Sequence, residues 1–548
     1  METGMQTAHK VRSVRPVGTR AVLAELDSME DVLALQSLLF ASPLPGQLDV
    51  LAAAETVMVV AESAAATRAI GARLLELELG GPVANDSALV VIDTVYDGDD
   101  LAEVAGLTGL GVDGVIAAHT GQLWTVAFAG FAPGFAYMVG ENQLLEVPRR
   151  SSPRTAVPAG SVALAGNYSA VYPRRSPGGW QLIGRTGARM WDLDRAQPAL
   201  ARPGDRVRYR AVREVITAAP ASAQVAAPAS AVAEPATGIR ILNPGALSLI
   251  QDLGRRGHGG LGVSAAGALD RASIRRANRL VGNQSTAAAV ETVNGGLTIQ
   301  AVGDQVIAVA GAPSSLTITP PSDAFSDDDG GPAPQPRTVP MAAPFALLDG
   351  ETLTVGAPEA GFRSYVAVRG GADLPAVLGS RSTDTLSGLG PAPLAAGQLL
   401  AVGQDTASTA VGSPELQPDF PAPGSVTVLD IVPGPREDWF DPAELESLCR
   451  QEWQVTPQSN RVGMRLAGEP LKRSRDGELP SEGTMAGAIQ IPPAGLPVLF
   501  LADHPITGGY PVIGVVTDEQ LDRAAQVPIG GSIRFRVSPA LGTKEVSK

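Results

Sequence analysis

Along the chain, one pattern of apolar and polar positions recurs: a Gly-polar turn followed by alternating or apolar residues. It stands in "GDRVRYRAV", "GETLTVGAP", "GQLLAVG" and "GSIRFRVS", near the ends of successive stretches, and reads as closing strands of β units. The first hundred residues differ. "MEDVLALQSLLFASP" and "AAATRAIGARLLELELGG" have helical spacing, the latter ended by Gly80 and Gly81, so the N-terminus reads as a small α+β unit. Further on, "LDRASIRRANRLVGN" predicts one helix: Asp270 caps it, Ile274, Ala277 and Val281 share a face, and Gly282 ends it. The remainder is strand and turn, which predicts a mainly β protein with α+β portions, built of compact barrels.

Two segments break the pattern. The Ala/Pro/Ser tract from Glu214 to Gly238 has no large aromatic residue and no periodic apolar face, and is read as a linker between a module of about 200 residues and one of about 300. "TPPSDAFSDDDGGPAPQPRTVPMAAP", Thr319 to Pro344, is acidic and Pro-rich and is expected to be an exposed insertion loop.

Composition narrows the classes. With 548 residues, 44% hydrophobic and 18% charged, the chain is globular and long enough for about three or four domains. A net charge of -14 argues against nucleic acid or an anionic membrane as partner. No apolar run reaches the roughly 18 residues of a membrane span, and the start lacks a signal-type apolar region, so a cytoplasmic location is expected. The single cysteine, Cys449, excludes an internal disulfide and a Cys-rich metal site; no metal site is expected. Phosphate-loop, dinucleotide, nucleophile-elbow and H-E-x-x-H signatures are missing, as is a biotin-carrying Met-Lys-Met.

Candidate chemistry gathers in Gly/Pro segments. "FAGFAPGFAYM" concentrates aromatic rings in a chain that is 4% aromatic. Phe131, Pro133, Gly134, Phe135 and Tyr137 either wall a small-molecule pocket or form an aromatic structural corner. On "PRRSSPRTAVPAGSVALAG", Arg149, Arg150 and Arg154 are carboxylate or phosphate ligands, or else solvated arginines paired with acidic neighbours. "RRSPGGWQLIGRT" brings Ser176, Gly178, Gly179, Trp180 and Arg185; its turn suits an anion, or is a tight hairpin with a core Trp. In "IQDLGRRGHGGLG" stand Gln251 and Asp252. "LADHPITGGYPVIGVV" holds Asp503 and His504 just past an apolar run, ahead of the turn Thr507, Gly508, Gly509 and Tyr510. An imidazole there is an acid or base, or merely packed. Arg461 and Gln490 are further polar candidates.

Taken together, "GFAPGFAYM", "PRRSSPRTAVPAGSVALAG" and "SPGGWQLIGRT" resemble the B-type subunit family of bacterial ATP-dependent 5-oxoprolinase, also called allophanate hydrolase subunit 1 or the Kip-type inhibitor. "QDLGRRGHGGLGV", "GALDRASIRRANRLVGN", "RGGADLPAVLGSRSTDT", "SNRVGMRLAG", "SEGTMAGAIQIPPAG" and "TGGYPVIGVV" resemble its partner, the C-type subunit, or allophanate hydrolase subunit 2. The resemblance covers residues 14 to 537 and implies a B–C fusion with cyclophilin-like β-barrels in tandem: an α+β subdomain at 14–98, a barrel at 99–213, a linker at 214–237, a β-rich module at 238–537 and a tail at 538–548. It implies opening of 5-oxoproline to glutamate together with a hydantoinase-like large subunit, with ATP bound by this chain or by that partner and no covalently attached cofactor. Alternatives within the family are a biotin-dependent urea carboxylase-like carboxyl transfer and kinase inhibition; self-association is left open. The resemblance makes Asp503, His504 and Arg154 the catalytic candidates and the other residues of the preceding paragraph, Arg150 apart, substrate contacts. One departure stands out: the family motif has Arg-Gln after the aspartate, where this chain has His504 and Pro505.

Overall fold

The computed structural model describes residues 9–80, 88–214, 237–321, 335–404, 409–475, 477 and 479–538. Its first unit is a four-stranded antiparallel sheet in the order Ser13–Val17, Ala21–Glu25, Thr56–Ala61, Gln47–Ala52, carrying helices Met29–Ala41 and Ala64–Glu76. Ser28 and Ser63 cap these helices, accepting from the N–H groups of Asp31 and Ala66. The second helix stops at Glu76, ahead of Gly80, because Glu78–Leu79 pairs with His9–Lys10.

This sheet is buried on both faces. Val22, Ala24, Val57 and Val59 pack under Leu35, Leu39, Ile70 and Leu74 of the helices. The alternate residues Ala21, Leu23 and Met58 pack against Phe500, Ile506, Val512 and Val515, more than 400 positions later.

The second unit is a seven-stranded sheet in the order Gln181–Arg185, Ser161–Ala165, Tyr168–Val171, Ala136–Gly140, Trp124–Ala129, Arg206–Ala211, Leu89–Thr94. Val95 and Arg185 exchange hydrogen bonds of 2.9 and 2.8 Å, so the two outer strands curl together as a barrel. The expected boundary at 98/99 moves: Leu89–Thr94 already belongs to this barrel, paired in parallel with Arg206–Ala211.

The tract at 214–237, expected to be a linker, lies mostly outside the described residues; beyond it a six-stranded and a five-stranded sheet enclose one core, followed by a closed seven-stranded barrel over Val426–Val537. All four sequence segments read as closing strands are strands. The expected loop at Thr319–Pro344 is shorter than its composition suggested, since Arg337–Val339 pairs back onto Ser314–Thr319; residues 322–334 lie outside the described set.

The two barrels share a construction. In each, the last strand runs parallel to the first, and a Trp indole N–H caps the preceding helix end: Trp124 donates to His119 O at 3.0 Å, Trp453 to Leu448 O at 2.9 Å. The protein is thus mainly β with an α+β portion at its start, and its barrels stand in tandem.

Both modules dock through polar as well as apolar contacts. Arg436 Nη1 reaches Glu25 Oε1 at 2.6 Å, and its Nε reaches the two carboxylate oxygens of Glu482 at 2.8 and 3.0 Å. Asp49 accepts the N–H groups of Gly257 and Gly259 at 3.1 and 3.2 Å.

Candidate functional site

The aromatic stretch folds as a hairpin whose tip, Gly130 to Phe135, turns on Gly130 N–H to Phe135 O at 3.1 Å and Phe135 N–H to Ala132 O at 2.9 Å. Two positions require glycine. Gly134 has φ 78°, and a Cβ on Gly130 would lie 2.2 Å from Thr507 Oγ1. The second requirement crosses modules: the tip is pressed onto the Thr507 turn of the C-terminal barrel.

Most of the rings behind this tip are core. Phe128 stacks on Tyr137 at 4.3 Å, and Phe135 meets Tyr172 and Trp180 edge-on at 5.3 and 5.5 Å, all buried. Phe135 and Trp180 are therefore not pocket walls; their packing supports the hairpin. Tyr137 is buried too, with its hydroxyl bonded to Thr507, and burial raises its pKa to about 12. Phe131, at φ 62° and half-buried, is the ring that reaches a crevice, with Pro133 beside it.

The arginine loop is committed elsewhere. Arg154 Nη2 donates to Asp100 Oδ1 at 2.7 Å, Arg150 binds the same oxygen, and Leu182 N–H takes Oδ2 at 2.7 Å. Burial acts to raise the Asp100 pKa, but the Arg154 bond and the Leu182 N–H outweigh it and hold it below the usual range. Arg154 is therefore an ion-paired brace rather than a free catalytic group. Arg185 pairs with Asp97 at 2.8 Å on the surface. Gly178 pairs with Arg154 across two strands, and a Cβ there would lie 2.2 Å from the Tyr172 hydroxyl; Gly179 O accepts Arg150 N–H. This turn is a hairpin packed under an aromatic core. Ser176 donates weakly, at 3.4 Å, to Arg174 O, and Arg149 lies exposed, its charge acting on Tyr137 and Tyr172.

Asp503 is fully buried. Its carboxylate holds Arg461 by two bonds of 3.0 Å and takes Thr385 N–H and Oγ1–H at 2.9 and 2.7 Å. Arg461 also binds Glu291 and Gly267 O. Burial acts to lower the Arg461 pKa, but Asp503 and Glu291 outweigh it, so the guanidinium stays charged. With its oxygens occupied and no solvent access, Asp503 joins the two C-terminal cores, burial raising its pKa against the pull of Arg461, and Arg461 is held in the same junction.

Gln251 and Asp252 are likewise scaffold: Gln251 donates to Thr383 O, and Asp252 accepts from Ser380, Ser382, Arg381 N–H and Gly254 N–H. Gly508 pairs with Glu482, and a Cβ on it would lie 2.5 Å from Gln490 Nε2, a buried donor without a protein partner. Gly509 is half-buried and Tyr510 exposed.

His504 differs from its neighbour. It is buried and stacked on Phe500 at 16°. Its Nδ1 lies 2.9 Å from Pro505 O, an acceptor, so Nδ1 carries the proton and Nε2 keeps its lone pair. Burial lowers its pKa, which keeps the ring neutral. The crevice at the module junction joins His504 and Pro505 to Phe131, Pro133, Asp384 and Ser387. Beside it, Arg174 approaches Gly388, and Asp384 supports its charge; its buried Nε has no hydrogen-bond partner. Asp384, Ser387 and Arg174 were not singled out from the sequence, although "RSTDT" and "YPRRSP" contain Asp384 and Arg174; nothing local in those runs says that they meet.

Two family models cover the chain: carboxyltransferase domain, subdomain C and D, at residues 12–201, and carboxyltransferase domain, subdomain A and B, at residues 261–537. The chain belongs to the carboxyltransferase-domain family. The C-type subunit of Escherichia coli (strain K12) 5-oxoprolinase is 36% identical over 302 residues, covering 54% of this carboxyltransferase-domain chain and 90% of that protein. The B-type subunit of Escherichia coli O157:H7 5-oxoprolinase is 45% identical over 127 residues, 23% of this chain and 58% of that protein. The crystal structure of TTHA0988 superposes with a TM-score of 0.79 at 32% identity, over 94% of this chain and 99% of that one. B-type and C-type carboxyltransferase-domain sequences thus stand in tandem on one polypeptide.

Proposed function

We propose that this chain supplies both small components of an ATP-dependent 5-oxoprolinase, opening 5-oxo-L-proline to L-glutamate with a separate hydantoinase-like large subunit. The observation that carries this reading is the docking of a B-type and a C-type module in one polypeptide through a shared apolar core. We take the B-type module as residues 14–213, the tract at 214–237 as the linker, the C-type module as 238–537 and 538–548 as a tail.

Lactam resonance makes the ring carbonyl a poor electrophile, and ATP supplies the activation. Three of the seven described α-helix starts and the Gly-Gly turn are already engaged within this chain. Helix starts at Ser28, Ser63 and Asp270 are occupied by their own caps, and the Gly178–Gly179 backbone is spent on strand and loop pairing. With no phosphate-loop or dinucleotide signature in the sequence, we assign ATP binding to the large subunit. This chain's part is to hold and desolvate the ring acid, with neutral His504 offering Nε2 to an N–H or a water proton.

The test is ADP and glutamate release with 5-oxoproline. The purified chain alone should show little turnover, and the large subunit should restore it. Robust turnover by the chain alone overturns the division of labour, while carboxyl transfer from carboxybiotin to urea, without 5-oxoproline turnover, transfers the assignment to the carboxylase reading.

A further inference from the structure

His504 also lines a second space, a cavity of about 170 Å³ where three units meet: the sheet residues Asp49 and Leu51, the loop from Leu253 to Arg271, and the barrel residues Thr484, Leu501 and His504. A cavity of roughly 150 Å³ admits a benzene-sized ring. The lining is mostly apolar, with arginines at its edge.

Those arginines are not equivalent. Arg20 Nη1 is paired with Asp518 at 3.2 Å, and Arg271 with Asp518 at 2.9 Å and Asp522 at 3.3 Å. Arg256 makes no hydrogen bond or ion pair with a described residue, and it lines the cavity as an exposed residue. Desolvation, then the charges of Arg271 and Arg20, pull its pKa down, with Asp518 opposing them. An anion beside Arg256 relieves that repulsion. Asp49, the other carboxylate on the wall, is already filled by the N–H groups of Val50, Gly257 and Gly259.

Among the lining residues, His504 has Nε2 as a lone-pair acceptor, because Nδ1–H is given to Pro505 O. One wall thus offers a planar cation for a carboxylate, another an acceptor for an N–H, and between them runs an apolar lining. We infer that this cavity binds a small ring carboxylate carrying an amide N–H, the carboxylate on Arg256 and the N–H on His504. A five-membered lactam acid has that chemistry, so the inference deepens the proposed function and rests on it for the identity of the ligand, while the anion contact rests on the geometry alone.

Calorimetric titration of the full chain tests it, with L-5-oxoproline, cyclopentanecarboxylate (no N–H), 2-pyrrolidone (no carboxylate) and inorganic phosphate as probes. L-5-oxoproline should bind more tightly than any of the other three. Arg256→Gln should weaken it at least tenfold with an unchanged thermal melt, since the guanidinium makes no hydrogen bond or ion pair with a described residue. His504→Phe should weaken 5-oxoproline but not cyclopentanecarboxylate. Equal 5-oxoproline affinity in Arg256→Gln overturns the site. So does reconstituted 5-oxoproline turnover that neither variant changes, and in that case the 5-oxoprolinase reading survives. Arg256-dependent binding of cyclopentanecarboxylate or phosphate as tight as that of 5-oxoproline overturns the lactam assignment. Arg256-dependent lactam binding by a reconstituted enzyme that shows no turnover upholds the cavity and removes the proposed function.

Discussion

Replacing Arg436 by methionine should uncouple the two modules. The guanidinium is about 10% exposed, and its partners Glu25 and Glu482 are 7% and 8% exposed, so its removal leaves Glu482 out of water without a cation, while Glu25 keeps only Arg15 and the Ser13 hydroxyl. Breaking a buried pair by removing one partner costs about 3–5 kcal/mol. Here the upper part of that range is softened, because one of the two carboxylates can take up a proton. We therefore expect a loss of about 4 kcal/mol in urea unfolding, concentrated in a docking transition, because a multi-module chain need not unfold as one unit. The variant Glu25→Gln/Arg436→Met/Glu482→Gln removes the stranded charges and should recover all but ~1–2 kcal/mol.

Acid should act on the same knot. Burial pushes Glu25 up, but the Ser13 hydroxyl and Arg436 outweigh it and bring its pKa from 4.5 to about 2. A depressed carboxylate contributes stability that is present above 4.5 and lost as pH falls towards 2, here at most about 3 kcal/mol. Glu482, raised chiefly by burial, opposes this above its own pKa, so the acid limb is shallower than Glu25 alone gives. If Arg436→Met unfolds within about 1 kcal/mol of the parent, or the triple variant is no more stable than the single one, the knot does not hold the modules together.

Four further outcomes follow from the same geometry. Gly130→Ala puts a methyl 2.2 Å from Thr507 Oγ1 and should cost ~1–3 kcal/mol, with Thr507→Ala giving partial rescue in thermal melts. Proteolysis within residues 219–234 should leave the halves co-eluting on gel filtration, since the shared core does not depend on the covalent link. Arg154→Met should lower stability by about 1–3 kcal/mol and leave the initial rate of the reconstituted enzyme within a few-fold, because Asp100 keeps Arg150; a hundredfold loss of rate at unchanged stability contradicts the brace. His119 is fully buried and desolvation lowers its pKa to about 3, so its neutral form is needed in the fold: stability should fall as pH drops from 6.5 towards 3, by up to ~1.4 kcal/mol per pH unit, and His119→Gln should flatten that limb.

Several features could be read locally because their causes lie within a few residues. Asp270 caps Arg271–Leu280 through a bond to Ser273 N–H, Gly282 follows that helix at φ 72°, and the Gly-polar turns open strands at 206, 352, 399 and 532. The aromatic hairpin was legible as an unusual place, and His504 as a polar group at a strand end. What those residues do was decided by docking. "AVLAE" at Ala21–Glu25 shows no clear inside and outside in sequence, because helices cover one face and a barrel from the other end of the chain covers the second. Arg154 stood between a ligand contact and a pairing with an acidic neighbour until Asp100 came beneath it from 54 residues away, and Asp503 looked catalytic until Arg461 and Thr385 filled its oxygens. Arg436 found Glu25 across 411 residues. Caps, turns and periodicity are set by near neighbours on the chain, whereas the partner of a charge and the occupant of a sheet's second face depend on which distant surfaces meet, and that is fixed only when the modules pack.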